Sequence, residues 1–173
     1  MFKTDNYMPK QLPILINPNP ILRKISDKID PEEISHPDFQ ELLADIKETM
    51  LKKDGAGLAA PQIGKNIRLV VIHHDNKIYF LINPKITKKS WAREIEEEGC
   101  LSVLNKEGGI IYGRVERHKK VNCVYLDEKG KPKKISADKI MSRVIQHEID
   151  HLDGILFIDK LAGAIAKISK PAK

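Results

Sequence analysis

Apolar residues follow two different spacings along this 173-residue chain. Phe39, Leu42, Leu43, Ile46 and Met50 recur every three or four positions, the stripe of an amphipathic helix. The spacing predicts a helix over 37–53 that stops near Gly55, with Ser35 and Asp38 marking its start. Further on the pattern turns to strands. Segments 68–73 and 77–84 read as a hairpin turning at Asp75-Asn76. Segments 121–126 and 133–136 read as another, around Glu128-Lys129-Gly130. A second helix fits 138–152, with Gly154 as its stop. The Pro- and Asn-rich stretch 12–20 reads as extended chain. Helix, strands, then helix is an α+β pattern, not an alternating βαβ one.

Length and composition narrow this further. The chain fits one domain, 1–173, with a core of about 12–161 and a short C-terminal tail. No apolar run approaches the roughly 20 residues of a membrane helix. The opening segment MFKTDNYMPK lacks the apolar stretch of a secretory signal. Two cysteines, Cys100 and Cys123, are too few for a disulfide scaffold, so the expected setting is cytoplasmic and reducing, with no membrane partner. The net charge of +6 comes from 24 Lys and 6 Arg against 24 acids. These lysines are scattered and aromatics make up only 5%, so no specific nucleic-acid partner is expected.

The chemistry is concentrated in His147-Glu148-Ile149-Asp150-His151. Inside the second predicted helix, two histidines four apart project from one face and can grip one metal ion, with Glu148 beside them as a base. A catalytic site of this kind wants a third protein ligand and an open position. The extension HExxHxxGxxH fails, because its last place is Phe157. No glutamate follows Glu148, and Asp153 and Asp159 are too close in sequence to fold back well. The third ligand is therefore expected upstream. Cys100 offers a thiolate, with His36, His73, His74 and His118 as competitors. Cys123, in an apolar strand, reads as a small core residue.

Three segments together resemble peptide deformylases: Gly55-Ala56-Gly57-Leu58-Ala59-Ala60-Pro61-Gln62, Glu98-Gly99-Cys100-Leu101-Ser102 and Gln146-His147-Glu148-Ile149-Asp150-His151. The resemblance implies small mixed or antiparallel sheets packed around a central helix carrying HExxH. It implies removal of the N-formyl group from N-formylmethionyl nascent peptides, with release of formate. Cys100, His147 and His151 would hold one divalent metal, ferrous iron expected, with zinc, nickel or cobalt as substitutes. Glu148 would be the general base, and the Gln62 amide and Leu101 backbone N–H the oxyanion donors. The peptide would lie along 55–58, with Ala56 and Gly57 in contact with it. Ile140 and Val144, on the histidine face of the helix, would wall the methionine pocket. Gln146 and Asp150 would orient ligands, and Glu98 would pair with Arg114. A transient ribosome contact accompanies such a substrate.

The chain departs from the resembled pattern after Ser102, where Val103-Leu104 replaces an aliphatic-proline pair and 105–112 is about two residues longer. A substrate-side arginine of some relatives has no counterpart there, which leaves the pocket rim open. Two other readings compete: an HExxH metallopeptidase, and a noncatalytic metal- or ribosome-binding protein on the same fold.

Overall fold

The computed structural model describes residues 7–168. The first residues of the MFKTDNYMPK segment and the last of the C-terminal tail lie outside them. Helix α1 (Pro37–Lys52) forms where the stripe predicts. Its start differs from the expectation: His36 is the cap, no side chain bonds to the end, and Pro37 occupies the first turn. Ser35 Oγ donates instead to the Glu32 carbonyl. The fixed φ of proline, not a hydroxyl cap, begins this helix.

Eight strands are present among the described residues: β1 (Gly57–Ala59), β2 (Leu69–His74), β3 (Lys77–Lys89), β4 (Arg93–Leu104), β5 (Ile110–His118), β6 (Lys120–Leu126), β7 (Pro132–Asp138) and β8 (Leu161–Ile168). Helix α2 (Lys139–Leu152) comes between the last two. The strands make two antiparallel sheets, one ordered β1-β2-β3-β6-β7 and one ordered β4-β5-β8. The fold is α+β, as expected, and α2 touches β1, β2, β5, β6 and β7.

The run Leu69–Ile72 shows why both helices are needed. All four side chains are fully buried, although a strand's neighbours point to opposite faces. Leu69 and Val71 join Leu43, Ile46 and Met50 of α1. Val70 and Ile72 join Ile145, Ile149 and Leu152 of α2. A helix on each face turns alternation into a continuous apolar run, and each such side chain contributes roughly 1.5–3 kcal/mol.

Three departures from the sequence pattern have physical causes. Strand β3 continues past Pro84 because the register shifts between Ile82 and Lys85, and a bulge tolerates proline. Asn83 anchors it with φ 52°, its side chain accepting from Ile29 N at 2.9 Å and donating to Ile29 O at 2.8 Å. Strands β4 and β5 lack an apolar alternation because the buried positions of β5 are Gly113, Val115 and Arg117. The expected tail is a strand, β8, paired with β5.

Helix α2 stops at Gly154, whose φ is 72° and whose added Cβ would lie 2.6 Å from the Arg23 carbonyl oxygen. Both a left-handed turn and a close approach therefore require glycine there. The extended stretch 12–20 ties two motif segments together. Leu15 N donates to Gln62 O at 2.7 Å and Asn17 N to Ser102 O at 2.8 Å.

Candidate metal centre

A cavity of about 260 Å³ opens where β1, β4 and α2 converge. Cys100, His147 and His151 each offer one donor atom there, all within 4.8 Å of one another. This is the group with metal-ligating spacing among the described residues. The helix supplies the two histidines one turn apart, their ring centroids 5.0 Å from each other. The sheet supplies the sulfur, with Cys100 Sγ 3.2 Å from His151 Nε2. The competing histidines are elsewhere: His36 and His73 are exposed, His74 lies beside Asp75, and His118 Nδ1 is 2.7 Å from the Ser90 carbonyl. Both cysteines are free thiols, and Cys123 is buried in the core with its thiol pushed up to about 11 by that burial.

Behind the ligands lies a buried charge network. Glu98 Oε2 is 2.9 Å from His147 Nδ1, which turns Nε2 of that ring toward the cavity. Arg117 donates to both Glu98 oxygens, at 2.9 and 2.8 Å, and to Asp150. Arg143 adds a third donor to Glu98, at 2.7 Å. Asp150 also accepts from Lys160 at 2.7 Å. Burial alone would raise Glu98, but its hydrogen bonds with Arg117 and His147 prevail and hold it well below the usual carboxylate range. The expected partner, Arg114, is corrected to Arg117 by strand parity. Arg114 lies on the exposed side of β5 and Arg117 on the buried side, three positions on.

Burial and neighbouring charges set the two histidines apart. Burial opposes charge on His147, yet Cys100 and Glu98 draw its pKa well above the ordinary value. Burial, and then the neighbouring His147, push His151 well below it, leaving a neutral imidazole. Glu148 is 4% exposed and burial pushes it up to about 7, a value suited to accepting and returning a proton near neutrality. Its Oε2 has no hydrogen-bond partner. A buried orphan carboxylate oxygen beside one sulfur and two nitrogen donors fits a catalytic metal site.

Gln62 is 2% exposed, and its orientation is fixed from behind. Ala59 N donates to its Oε1 at 2.9 Å, so Nε2 faces Ser102 Oγ at 3.1 Å and Cys100 Sγ at 3.5 Å. An amide donor is thereby presented beside the ligand sulfur. Leu101 lies where the β4–β5 register breaks, between Gly99 and Leu104. Ala56, Gly57 and Val144 line the cavity.

Ile140 does not. It is 62% exposed and outside the cavity lining. Seven residues before His147 it shares that face, but about 10 Å further along the axis, where the helix has passed the cavity. Gln146 likewise misses the ligands. Its side chain bonds to the backbone of His118 and to Ser142. Asp150 reaches the ligands only through Arg117 and Glu98. Sequence reasoning passed over Tyr112 and Arg143, which also line the cavity. Arg143 carried a readable signal, since it stands four residues before His147 on the same helix.

The polypeptide deformylase family model matches residues 11–166. A peptide deformylase of Rhizobium meliloti is 37% identical over 171 residues, covering 93% of this chain and 94% of the relative. One from Pseudothermotoga lettingae is 44% identical over 144 residues, covering 82% of this chain and 77% of the relative. Among solved structures, the peptide deformylase of Thermotoga maritima aligns with a TM-score of 0.81 at 31% identity, over 91% of this chain and 100% of that one. The class I type b peptide deformylase of Acinetobacter baumannii, bound to Met-Ala-Ser, aligns with a TM-score of 0.82 at 29% identity, over 89% and 100%.

Proposed function

The chain belongs to the polypeptide deformylase family, and from that premise we propose how it removes the N-formyl group from formyl-methionyl peptides with the residues assembled around Glu148. The observation that carries the reading is the buried carboxylate of Glu148, with an unpartnered oxygen, beside the Cys100–His147–His151 group. The metallopeptidase and noncatalytic readings have no observation in their favour.

Cys100, His147 and His151 would hold one divalent metal, which supplies Lewis acidity to the hydrolysis when bound. Ferrous iron is the metal we infer, on the family resemblance; one thiolate and two imidazoles suit zinc, nickel and cobalt as well. Glu148 takes a proton from the attacking water, whose oxygen bonds to the formyl carbon. Gln62 Nε2 and the Leu101 N–H donate to the oxyanion that develops. The carbon–nitrogen bond then breaks, Glu148 returns its proton to the amine nitrogen, and formic acid leaves, giving up its remaining proton to water as formate. Losing one oxyanion donor of this kind typically costs about 10²- to 10³-fold in rate.

The peptide would lie along Gly55–Gly57 as an added strand, its first side chain toward Val144, Ile110 and Tyr112. With nascent chains as substrates, we place the protein in the cytoplasm in transient contact with the ribosome. The free thiols support the cytoplasmic placement. No helix among the described residues is long and apolar enough to cross a membrane.

The test is formate release from formyl-Met-Ala-Ser by anaerobically iron-loaded protein, with Glu148→Ala alongside. The wild type should turn over. The variant should keep its metal and lose about 10²- to 10⁴-fold in kcat. Equal activity in the two would remove Glu148 as the base. No release by a fully metal-loaded wild type would overturn the reading.

A further inference from the structure

Gly57 and Glu148 belong to different elements, β1 and α2, and meet inside the cavity. Gly57 is not among the positive-φ residues of the chain, so no backbone torsion demands glycine there. The demand comes from across the cavity. A Cβ built on Gly57 would lie 2.5 Å from Glu148 Oε1 and 2.8 Å from both Cδ and Cγ. Carbon atoms do not approach oxygen or carbon that closely without displacement. The backbone of Glu148 has little room to yield, so its side chain must. It is buried, and its helix is fixed on one side by the Glu98–His147 bond and on another by Ile145, Ile149 and Leu152 in the core. One of its oxygens makes no hydrogen bond, so the bond network leaves the carboxylate incompletely held.

We propose that Gly57 is a positioning residue for Glu148: the bare Cα of β1 is the seat on which the carboxylate rests, and any side chain there would drive the base off its station. The inference rests on the role given to Glu148 above and deepens it. It also separates two reasons for a glycine at this place. Admitting the peptide backbone is a matter of binding, and a residue that only did this would act on KM. A seat for the base acts on the chemical step, and so on kcat.

Gly57→Ala is the direct test, because alanine adds only the clashing carbon and the backbone torsion accepts it. In metal-loaded protein with formyl-Met-Ala-Ser, kcat should fall about 10- to 100-fold, the size of loss that a displacement near 1 Å produces. Metal content should be unchanged, and because Gly57 also lies along the peptide, the fall in kcat at saturating substrate, not KM, is the readout. Glu148→Asp, whose shorter side chain withdraws from the seat, should absorb the effect. Adding Gly57→Ala to it should cost less than about 3-fold further, so the two losses do not multiply.

A crystal structure of Gly57→Ala gives a readout independent of turnover. The Glu148 carboxylate should move while Cys100, His147 and His151 stay in place. A raised KM with unchanged kcat, losses that multiply in the double variant, loss of metal, or a shifted β1 with an unmoved carboxylate would each overturn the proposal. A metal-loaded wild type that releases no formate would overturn the deformylase reading instead, and the position of the carboxylate in the variant would still decide the seat.

Discussion

The two sheets reach the cavity in different ways. The five-stranded sheet brings backbone. Its edge strand β1 presents Gly57, and Ala59 N holds the Gln62 amide. The core residues behind it, such as Leu69, Val71 and Leu81, are apolar and sealed from water. The three-stranded sheet brings charge: Cys100 as a candidate ligand, Glu98 behind His147, and Arg117 behind Glu98. Burial in the first sheet is stabilising outright. In the second, each buried ion carries a desolvation cost that its partner only offsets, so the network is a weak source of stability and a strong constraint on geometry. The five-stranded sheet carries the larger apolar clusters, and the three-stranded one, besides a smaller cluster with Val103, Val115 and Phe157, carries the charges that aim His147.

Substitutions should therefore divide the same way. The largest effect is expected from Cys100→Ser. Metal retention after dialysis against a chelator should fall by more than the roughly 10- to 100-fold that loss of an outer hydrogen-bond partner causes, while the unfolding midpoint of the metal-free protein barely moves. Unchanged metal content would take the sulfur out of the ligand set and blur the division.

Leu81→Ala should do the reverse. Leu81 is 1% exposed and packs in the cluster beneath α2. Its truncation should lower the unfolding free energy by roughly 2–5 kcal/mol, read from the denaturant midpoint at constant slope. The folded fraction should keep its kcat. A fall in kcat as large as that of a cavity-lining variant would show that the two sheets are not separable.

The smallest effect belongs to an ion pair outside both roles. Arg23 bonds to Asp159, both about two-fifths exposed, in the turn between α2 and β8. Burial opposes charge on Asp159, but the Arg23 hydrogen bond and the Leu156 N–H together prevail and hold its pKa below the ordinary value. The pair's contribution is therefore present above the unfolded carboxylate pKa and lost as pH falls through the folded one. Asp159→Asn should cost under about 1 kcal/mol at pH 7. Thermal unfolding should show that difference closing on acidification; a difference that widens instead would contradict the sign.

The same division governs what the sequence made legible. Helix α1 could be read because water sorts its residues, apolar inward and polar outward, and strand β2 because a helix on each face makes it a continuous apolar run. The HExxH helix could be read twice, from its stop at Gly154 and from the spacing of His147 and His151. Strands β4 and β5 were invisible to that logic. Glu98 and Arg117 point inward as a pair, so each sequence position looks like surface while the contact between them is core. Choosing Arg114 over Arg117 is the same difficulty at one residue's scale, since only the strand's parity tells the two apart. Ile140 failed for another reason. Periodicity gives the angle of a residue around a helix but not where along the axis the cavity ends.

Strand β1 is three residues long and lies at the outer end of its sheet. Such a strand offers a visitor main-chain groups, and main chain is what every protein shares. Under the function proposed above, a chain start laid along β1 would be inspected at its first residue and merely tolerated after that. One modest catalyst could then attend to thousands of different newborn proteins. Its breadth would come from what β1 declines to read.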